Sequence, residues 1–369
     1  MELVEEIKNY ARLLGADTVG QAKILKKHEI SQYLKELRKV RESRPVQIAS
    51  QLVNMAEMYE KLSENYLDLN AASSIVSPLA RKLANSVIGN RSGSRPYYRG
   101  GYTYYERFWL IAMELAKKLF RARFAECRPP TGSVAISVAV FALTELGDKV
   151  MNLPITLAHK TTREVGYAGY RGLRIADIPL NKEKLNADTD AMARIVSEVR
   201  PKLIILGSEI MLFPYPIREI RKIADEVGAR IFYDGSHILG LVAGGQFQDP
   251  LGEGSDLLLG SANKTLSCPR GGLILTNDSE IWEKVSSKAG ETLAGVFGGN
   301  VAGIALNLAE MLELGRMYAE QIVRNAKALA NALNEQGFKV LGKEEGYTKS
   351  HMLFLDVTDL VQRDEATYV

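Results

Sequence analysis

The chain has 369 residues, more than one small domain needs and too few for three. Apolar residues make up 46% and charged residues 25%, the composition of an ordinary globular protein and not of a disordered chain, a collagen or a coiled coil. With 47 basic against 44 acidic residues the net charge is only +3, which excludes the strongly basic footprint of a dedicated nucleic-acid binder.

The first residues, MELVEE, have no basic stretch leading into an apolar one, so no secretory signal is expected. The longest apolar run, 134–143, falls far short of the ~20 residues that span a bilayer, so no membrane partner is expected. Cys127 and Cys268 stand apart with no C-x-x-C, and the four histidines (28, 159, 237 and 351) form no H-x-x-x-H. Neither a disulfide framework nor a metal site is therefore expected, and the default location is cytoplasmic.

In chain order, residues 1–66 read as a helical arm. Leu3, Ile7, Tyr10 and Leu14 share one helical face, as do Leu34, Leu37 and Val40, and then Leu52, Met55, Met58, Tyr59 and Leu62. Arg44-Pro45 breaks this region. From about residue 67 the pattern alternates between helices and short apolar runs. Strands are expected at 149–153, 172–177, 202–206, 230–233, 256–260 and 272–276, with helices at 132–146, 189–199 and 217–227 among them. Continuous apolar strands are covered on both faces, so the alternation predicts a mostly parallel α/β sheet flanked by helices. A long helix over 307–334 follows, then strands at 338–340 and 352–357. The expected organisation is thus a helical arm (1–66), a large α/β domain (67–306), and a bridging helix with a small, partial α+β domain (307–369).

Several familiar patterns fail. No G-x-x-x-x-G-K-[ST] occurs, and the glycines at 298, 299 and 303 miss the G-x-G-x-x-G spacing. Ser261-x-x-Lys264 matches S-x-x-K, but no S-D-N or K-T-G follows. Its setting says more. One expected strand ends in Asp234-Gly235-Ser236-His237, and the next ends in Ser261-Ala262-Asn263-Lys264. In a parallel sheet both groups emerge at the C-terminal edge, where α/β folds bind ligands. A lysine amine for an aldehyde and a carboxylate for a ring nitrogen are what pyridoxal 5'-phosphate (PLP) requires, since the protonated ring draws electrons from a substrate Cα. Thr131-Gly132-Ser133, opening an apolar helix, offers N–H groups and hydroxyls for its phosphate. Taken singly, Asp234 reads as a loop cap and Lys264 as a surface lysine; together with the Thr-Gly-Ser turn they read as a cofactor site.

Two segments, YDGSHILGLVA (233–243) and NKTLSCPRGGLIL (263–275), closely resemble the hallmark segments of the serine hydroxymethyltransferase family. Tyr97-Tyr98-Arg99-Gly100-Gly101, Pro130-Thr131-Gly132-Ser133, Met151-Asn152-Leu153 and Phe297-Gly298-Gly299 add to the resemblance, which runs over 67–357. The resemblance implies a type I PLP-dependent transferase fold, with a sheet of seven strands and an active site shared across a homodimer. It implies that Lys264 forms the Schiff base, that Asp234 pairs with the pyridine nitrogen, that His159 stacks on the ring and that His237 lies near the ring oxygen. Thr131, Gly132 and Ser133 would hold the phosphate, with Gly298 and Gly299 donating from the neighbouring subunit, and Ser261 would also bind the cofactor. Tyr98 would face the substrate and Arg270 would order the lysine loop.

The chain also departs from that pattern. Ala72-Ser73-Ser74-Ile75 stands in place of the family's Ser-Glu-Asn, and Asn263 replaces the histidine before the lysine. Gly89, in Val87-Ile88-Gly89-Asn90, stands where the family has the glutamate used as acid and base in hydroxymethyl transfer. The family's substrate-carboxylate arginine lies in a C-terminal segment not expected within these 369 residues, so either the sequence is truncated or the carboxylate is bound differently. These departures argue against dependence on tetrahydrofolate. The expected activity is PLP chemistry at Cα of an amino-acid substrate, either glycine/serine interconversion or aldol cleavage of β-hydroxy amino acids. His159, Glu209 or water are candidate bases. An aminotransferase and a non-catalytic binding or assembly protein on the same fold are the alternatives.

Overall fold

The computed structural model describes residues 35, 39, 42–90, 102–181, 183–207, 209–293 and 297–358. The chain divides into two units, Met1–Leu69 and Asn70–Val369.

In the first unit, helix α1 spans Pro45–Ser63. Proline suits the first helical position because its missing N–H would have had no intrahelical partner. Arg44-Pro45 is thus where this helix starts, and the Gln47 side chain accepts the Arg44 N–H at 3.0 Å. Val46, Leu52, Val53, Met55, Met58, Tyr59 and Leu62 of α1 are all exposed. The two apolar faces expected nearer the N-terminus lie outside the described residues.

The second unit is built on a sheet of seven strands: β1 (Phe124–Glu126), β2 (Lys149–Asn152), β3 (Arg174–Asp177), β4 (Leu203–Leu206), β5 (Arg230–Asp234), β6 (Leu257–Ser261) and β7 (Gly272–Thr276). Their order is β1-β7-β6-β5-β4-β2-β3. Every neighbouring pair is parallel except the two that involve β7. Successive strand residues face opposite sides, and both sides are buried. Ile204, Leu206, Ile231, Tyr233 and Leu258 join one core, while Leu203, Ile205, Phe232, Leu257 and Leu259 join the other. That is why these strands read as unbroken apolar runs. Strand β1 escapes sequence reading because it has three residues, one of them Glu126, whose buried carboxylate is held by Arg128.

Around the sheet lie α2 (Pro78–Ala84), α3 (Tyr102–Phe120), α4 (Gly132–Leu143), α5 (Thr189–Val199), α6 (Ile217–Asp225), α7 (Leu239–Ala243), α8 (Ser279–Thr292) and α9 (Gly298–Glu335). Helix α4 packs on β6, β7 and α8, and α9 packs on α2 and α3. The long helix thus starts nine residues before the expected position 307. Its first turns carry Gly298, Gly299 and Gly303, residues that favour turns by propensity but here allow close helix packing. A Cβ on Gly299 would lie 2.2 Å from the Ala84 carbonyl oxygen. After α9, Lys339–Val340 pairs antiparallel with Leu355–Asp356, shorter than the two strands expected there. Ala330, Val340 and Tyr347 form the small core of this end.

Candidate active site

The register of β5 on β6 sets Asp234 beside Leu259, so the residues that follow both strands leave the sheet at one edge. The Asp234 carboxylate is buried and accepts the Ser236 N–H at 2.9 Å, which folds the chain back toward β6. There the Ser236 hydroxyl accepts the Ser261 N–H at 3.1 Å. The end of β5 and the end of β6 are therefore stitched together just before Lys264.

The loop that carries Lys264 is held at several points. The Ala262 N–H donates to the Gly271 carbonyl at 2.9 Å and the Ser267 N–H to the Lys264 carbonyl at 2.8 Å. Thr265 Oγ1 donates to the His237 carbonyl at 2.7 Å and accepts the Gly240 N–H at 3.2 Å. Ser74 Oγ donates to the Asn263 carbonyl at 2.8 Å, so two positions that depart from the family pattern bond to each other.

Lys264 Nζ lies 2.7 Å from His237 Nε2. Burial pulls the Lys264 amine below the ordinary lysine range, against the raising influence of the Asp234 and Glu209 carboxylates. Burial and the adjacent Lys264 charge push His237 down to about 2, with His351 and His159 adding to the effect. The imidazole is therefore neutral at physiological pH and able to accept a hydrogen bond from the lysine. His351 stacks on it with ring centroids 6.4 Å apart and planes 14° from parallel. His351 Nε2 donates to the Ala71 carbonyl at 2.9 Å, while burial lowers its basicity. Sequence reasoning missed His351 as a site residue. The only available signal was its rarity, since it is one of four histidines in the chain.

Thr131 caps α4, its hydroxyl accepting the Val134 N–H at 3.2 Å, so Gly132 and Ser133 form the first turn of a twelve-residue helix. The free N–H groups of such a turn attract anions. Gly132 lies against Ser261: a Cβ built on it would fall 2.1 Å from Ser261 Oγ and 2.8 Å from Ser261 Cα. Thr131, Gly132, Ser133 and Ser261 thus converge in a cradle that admits no side chain at position 132. The buried Nδ1 of His237 is left without a partner beside it. A helix-start cradle, a buried lysine of lowered basicity, a buried carboxylate and an orphaned ring nitrogen fit PLP. Thr131, Gly132, Ser133 and Ser261 would take its phosphate, Lys264 its aldehyde, and Asp234 its ring nitrogen.

His159 caps the short turn at Lys160–Thr162, its Nδ1 accepting the Thr161 N–H at 3.3 Å. Its Nε2 lies 3.4 Å from Glu209 Oε1. Gly298 and Gly299, the first residues of α9, are buried, and Gly299 lies against Ala84 and Gly89 of its own chain. A pocket of about 290 Å³, lined by Ala84, Asn85, Ser86, Gly89, Phe297 and Asn300, opens beside them. The Arg270 carbonyl accepts from Asn300 Nδ2 at 2.8 Å, and its side chain is exposed. Tyr98 and its motif lie outside the described residues. Among the described residues there is no cluster able to hold a metal ion, and no helix is long and apolar enough to cross a membrane.

The family model described as serine hydroxymethyltransferase matches residues 49–367. The serine hydroxymethyltransferase of Pyrococcus abyssi is 38% identical over 317 residues, covering 84% of this chain and 74% of the relative. That of Methanothermobacter marburgensis is 41% identical over 307 residues, covering 81% and 69%. Among solved structures, the L-threonine transaldolase of Pseudomonas fluorescens superposes with a TM-score of 0.78 at 25% identity, covering 85% of this chain and 73% of that one. The fold is thus that of the type I PLP-dependent enzymes, with PLP as cofactor and Cα of an amino acid as the site of reaction. The chain belongs to the serine hydroxymethyltransferase family.

Proposed function

We propose that this enzyme cleaves the Cα–Cβ bond of β-hydroxy amino acids to give glycine and an aldehyde, with little or no use of tetrahydrofolate. The observation that carries the reading is the Lys264–His237 contact at 2.7 Å, set between the buried Asp234 carboxylate and the Thr131–Ser133 helix start, in a chain whose residue 89 is glycine. PLP, when bound, supplies an electron sink for the Cα electron pair. In this reading Lys264 attaches the cofactor, Asp234 keeps its ring nitrogen protonated, and Thr131, Gly132, Ser133 and Ser261 bind its phosphate. His237 accepts a hydrogen bond from the lysine and orients it, and His159 borders the ring. Gly89 has no group to move a proton, so the folate-linked step lacks the family's acid.

The apolar residues exposed on α1, together with Phe297, Leu314 and Met317, support a homodimer with shared active sites. Gly298, Gly299 and Arg270 then serve the interface and the neighbouring site, and Tyr98 the substrate. We assign the arm to 1–66, the large domain to 67–306 and the small domain to 307–369, and place the enzyme in the cytoplasm.

The test compares release of benzaldehyde from phenylserine and of acetaldehyde from threonine with tetrahydrofolate-dependent conversion of serine to glycine, all on purified holoenzyme. Aldehyde release well above the folate reaction is expected. Formation of the pyridoxamine form on adding an amino donor would favour an aminotransferase instead, and inactivity towards every substrate would favour a non-catalytic role.

A further inference from the structure

The structure assigns the proton acceptor that replaces the missing acid at position 89: we propose that the Glu209 carboxylate takes the β-hydroxyl proton of the substrate. This rests on the aldol reading given above. Glu209 follows the end of β4 by three residues, and β4 pairs in parallel with β5 through Leu206 and Tyr233. It therefore leaves the sheet at the edge where Asp234 leaves β5. Its carboxylate lies 3.4 Å from His159 Nε2, and its charge raises the basicity of the Lys264 amine against burial.

Hydrogen-bond accounting removes the competing side chains. Two Thr161 groups approach His159 Nδ1, the hydroxyl at 2.5 Å and the backbone N–H at 3.3 Å; the hydroxyl can donate or accept but the N–H can only donate, so the arrangement that satisfies both has the Nδ1 lone pair facing them. A neutral His159 then carries its proton on Nε2, which faces Glu209 Oε1 at 3.4 Å. With one ring nitrogen accepting and the other protonated, His159 has no lone pair for a substrate proton. It acts as a donor that orients the Glu209 carboxylate. His237 Nε2 is taken by Lys264, His351 Nε2 by the Ala71 carbonyl, and Nδ1 of both rings is enclosed in protein. Asp234 is buried and accepts from Ser236. Glu209 has a half-exposed side chain, open to an incoming hydroxyl.

The step balances without a further reactant. The β-hydroxyl proton moves to a Glu209 oxygen, and the O–H electron pair becomes the second bond of the aldehyde C=O. The Cα–Cβ bond breaks and its pair remains with Cα, which takes up one proton to become glycine. Glu209 releases its proton to solvent and is restored.

Two measurements test this. On holoenzyme, Glu209→Gln should lose ~10²-fold or more of the phenylserine cleavage rate, the usual cost of removing one positioned base, while Glu209→Asp should retain more than Glu209→Gln. On apoprotein labelled with ¹⁵N-histidine, long-range ¹H–¹⁵N correlations should show His159 protonated at Nε2, with His159→Gln giving the assignment. Glu209→Gln cleaving within threefold of an active wild type would overturn the assignment, as would a His159 proton on Nδ1. A wild type that cleaves neither phenylserine nor threonine would instead overturn the aldol reading beneath it.

Discussion

Lys264 Nζ lies 2.7 Å from His237 Nε2, and its charge lowers the imidazole's tendency to hold a proton. Burial removes most of the hydration that favours either cation and is the main cause of the lowered basicity of both. The neutral imidazole can therefore only accept from the amine, which leaves its Nδ1 protonated and without a partner. An amine of reduced basicity carries its lone pair more often at neutral pH, and this is the form that attacks an aldehyde.

The first prediction follows from that pairing. Lys264→Ala should remove all covalently attached cofactor, read by borohydride reduction and peptide mass spectrometry. Reversible binding of PLP through the phosphate cradle should persist, seen as saturable quenching of protein fluorescence. A reduced adduct on another lysine would show that Lys264 is not the attachment point.

A second prediction concerns the cradle itself. In Gly132→Ala the new methyl group meets Ser261 backbone as well as its hydroxyl, at 2.7 Å from N and 2.8 Å from Cα, so the strand end must shift. Overpacking of this kind costs about 1–3 kcal/mol of stability. The thermal midpoint of Gly132→Ala should fall, and PLP affinity should fall by more than tenfold. Affinity equal to wild type would place the phosphate elsewhere.

Much of this site was legible in the sequence because its two ends are short segments fixed by local chemistry. Asp234 and Lys264 sit at the ends of apolar runs whose length and spacing mark them as strands, and the Thr131 cap marks the helix start. What was not legible depends on distant pairing. His351 reaches His237 from 114 positions further along the chain, and no local pattern announces the stack. The start of α9 was hidden because glycines at 298, 299 and 303 oppose helix by propensity, while the close approach of Gly299 to Ala84 and of Gly303 to Ala80 and Pro269 requires glycine at those two positions. Strand β1 was hidden because Glu126 is charged, and only its bidentate, half-buried Arg128 partner makes it acceptable in the core.

The buried histidines make stability depend on pH. In the folded chain His237 is held down to about 2 and His351 is lowered too, while both return to the ordinary range near 6.5 on unfolding. Between those values the unfolded chain binds more protons, so stability rises with pH. The contribution is complete above ~6.5 and is lost as pH falls below it, by up to about 1.4 kcal/mol per pH unit for each group. Urea midpoints of the apoprotein should therefore drop from pH 7 to pH 5, and His351→Gln should flatten that dependence. A dependence as steep in His351→Gln as in wild type would remove His351 from this role.

The last prediction separates the two reactions that the family's machinery can serve. Gly89 lies in the turn Val87–Asn90, packed beside Gly299, and the nearest atom to a Cβ built on it is the Ala84 carbonyl oxygen at 3.4 Å, an ordinary contact. A Cβ at position 89 therefore makes only ordinary contacts, and position 89 borders the pocket of about 290 Å³ into which a longer side chain can extend. Gly89→Glu should fold with a thermal midpoint close to that of wild type. In wild type, aldehyde release from threonine or phenylserine should exceed tetrahydrofolate-dependent serine conversion, because a positioned acid or base contributes ~10²–10⁴-fold in rate and the folate step lacks one. Gly89→Glu should narrow that ratio by raising the folate reaction without raising aldol cleavage, measured on the same preparation with both assays. A ratio unchanged by Gly89→Glu, or a wild type already efficient with tetrahydrofolate, would show that the glycine at this position does not limit hydroxymethyl transfer.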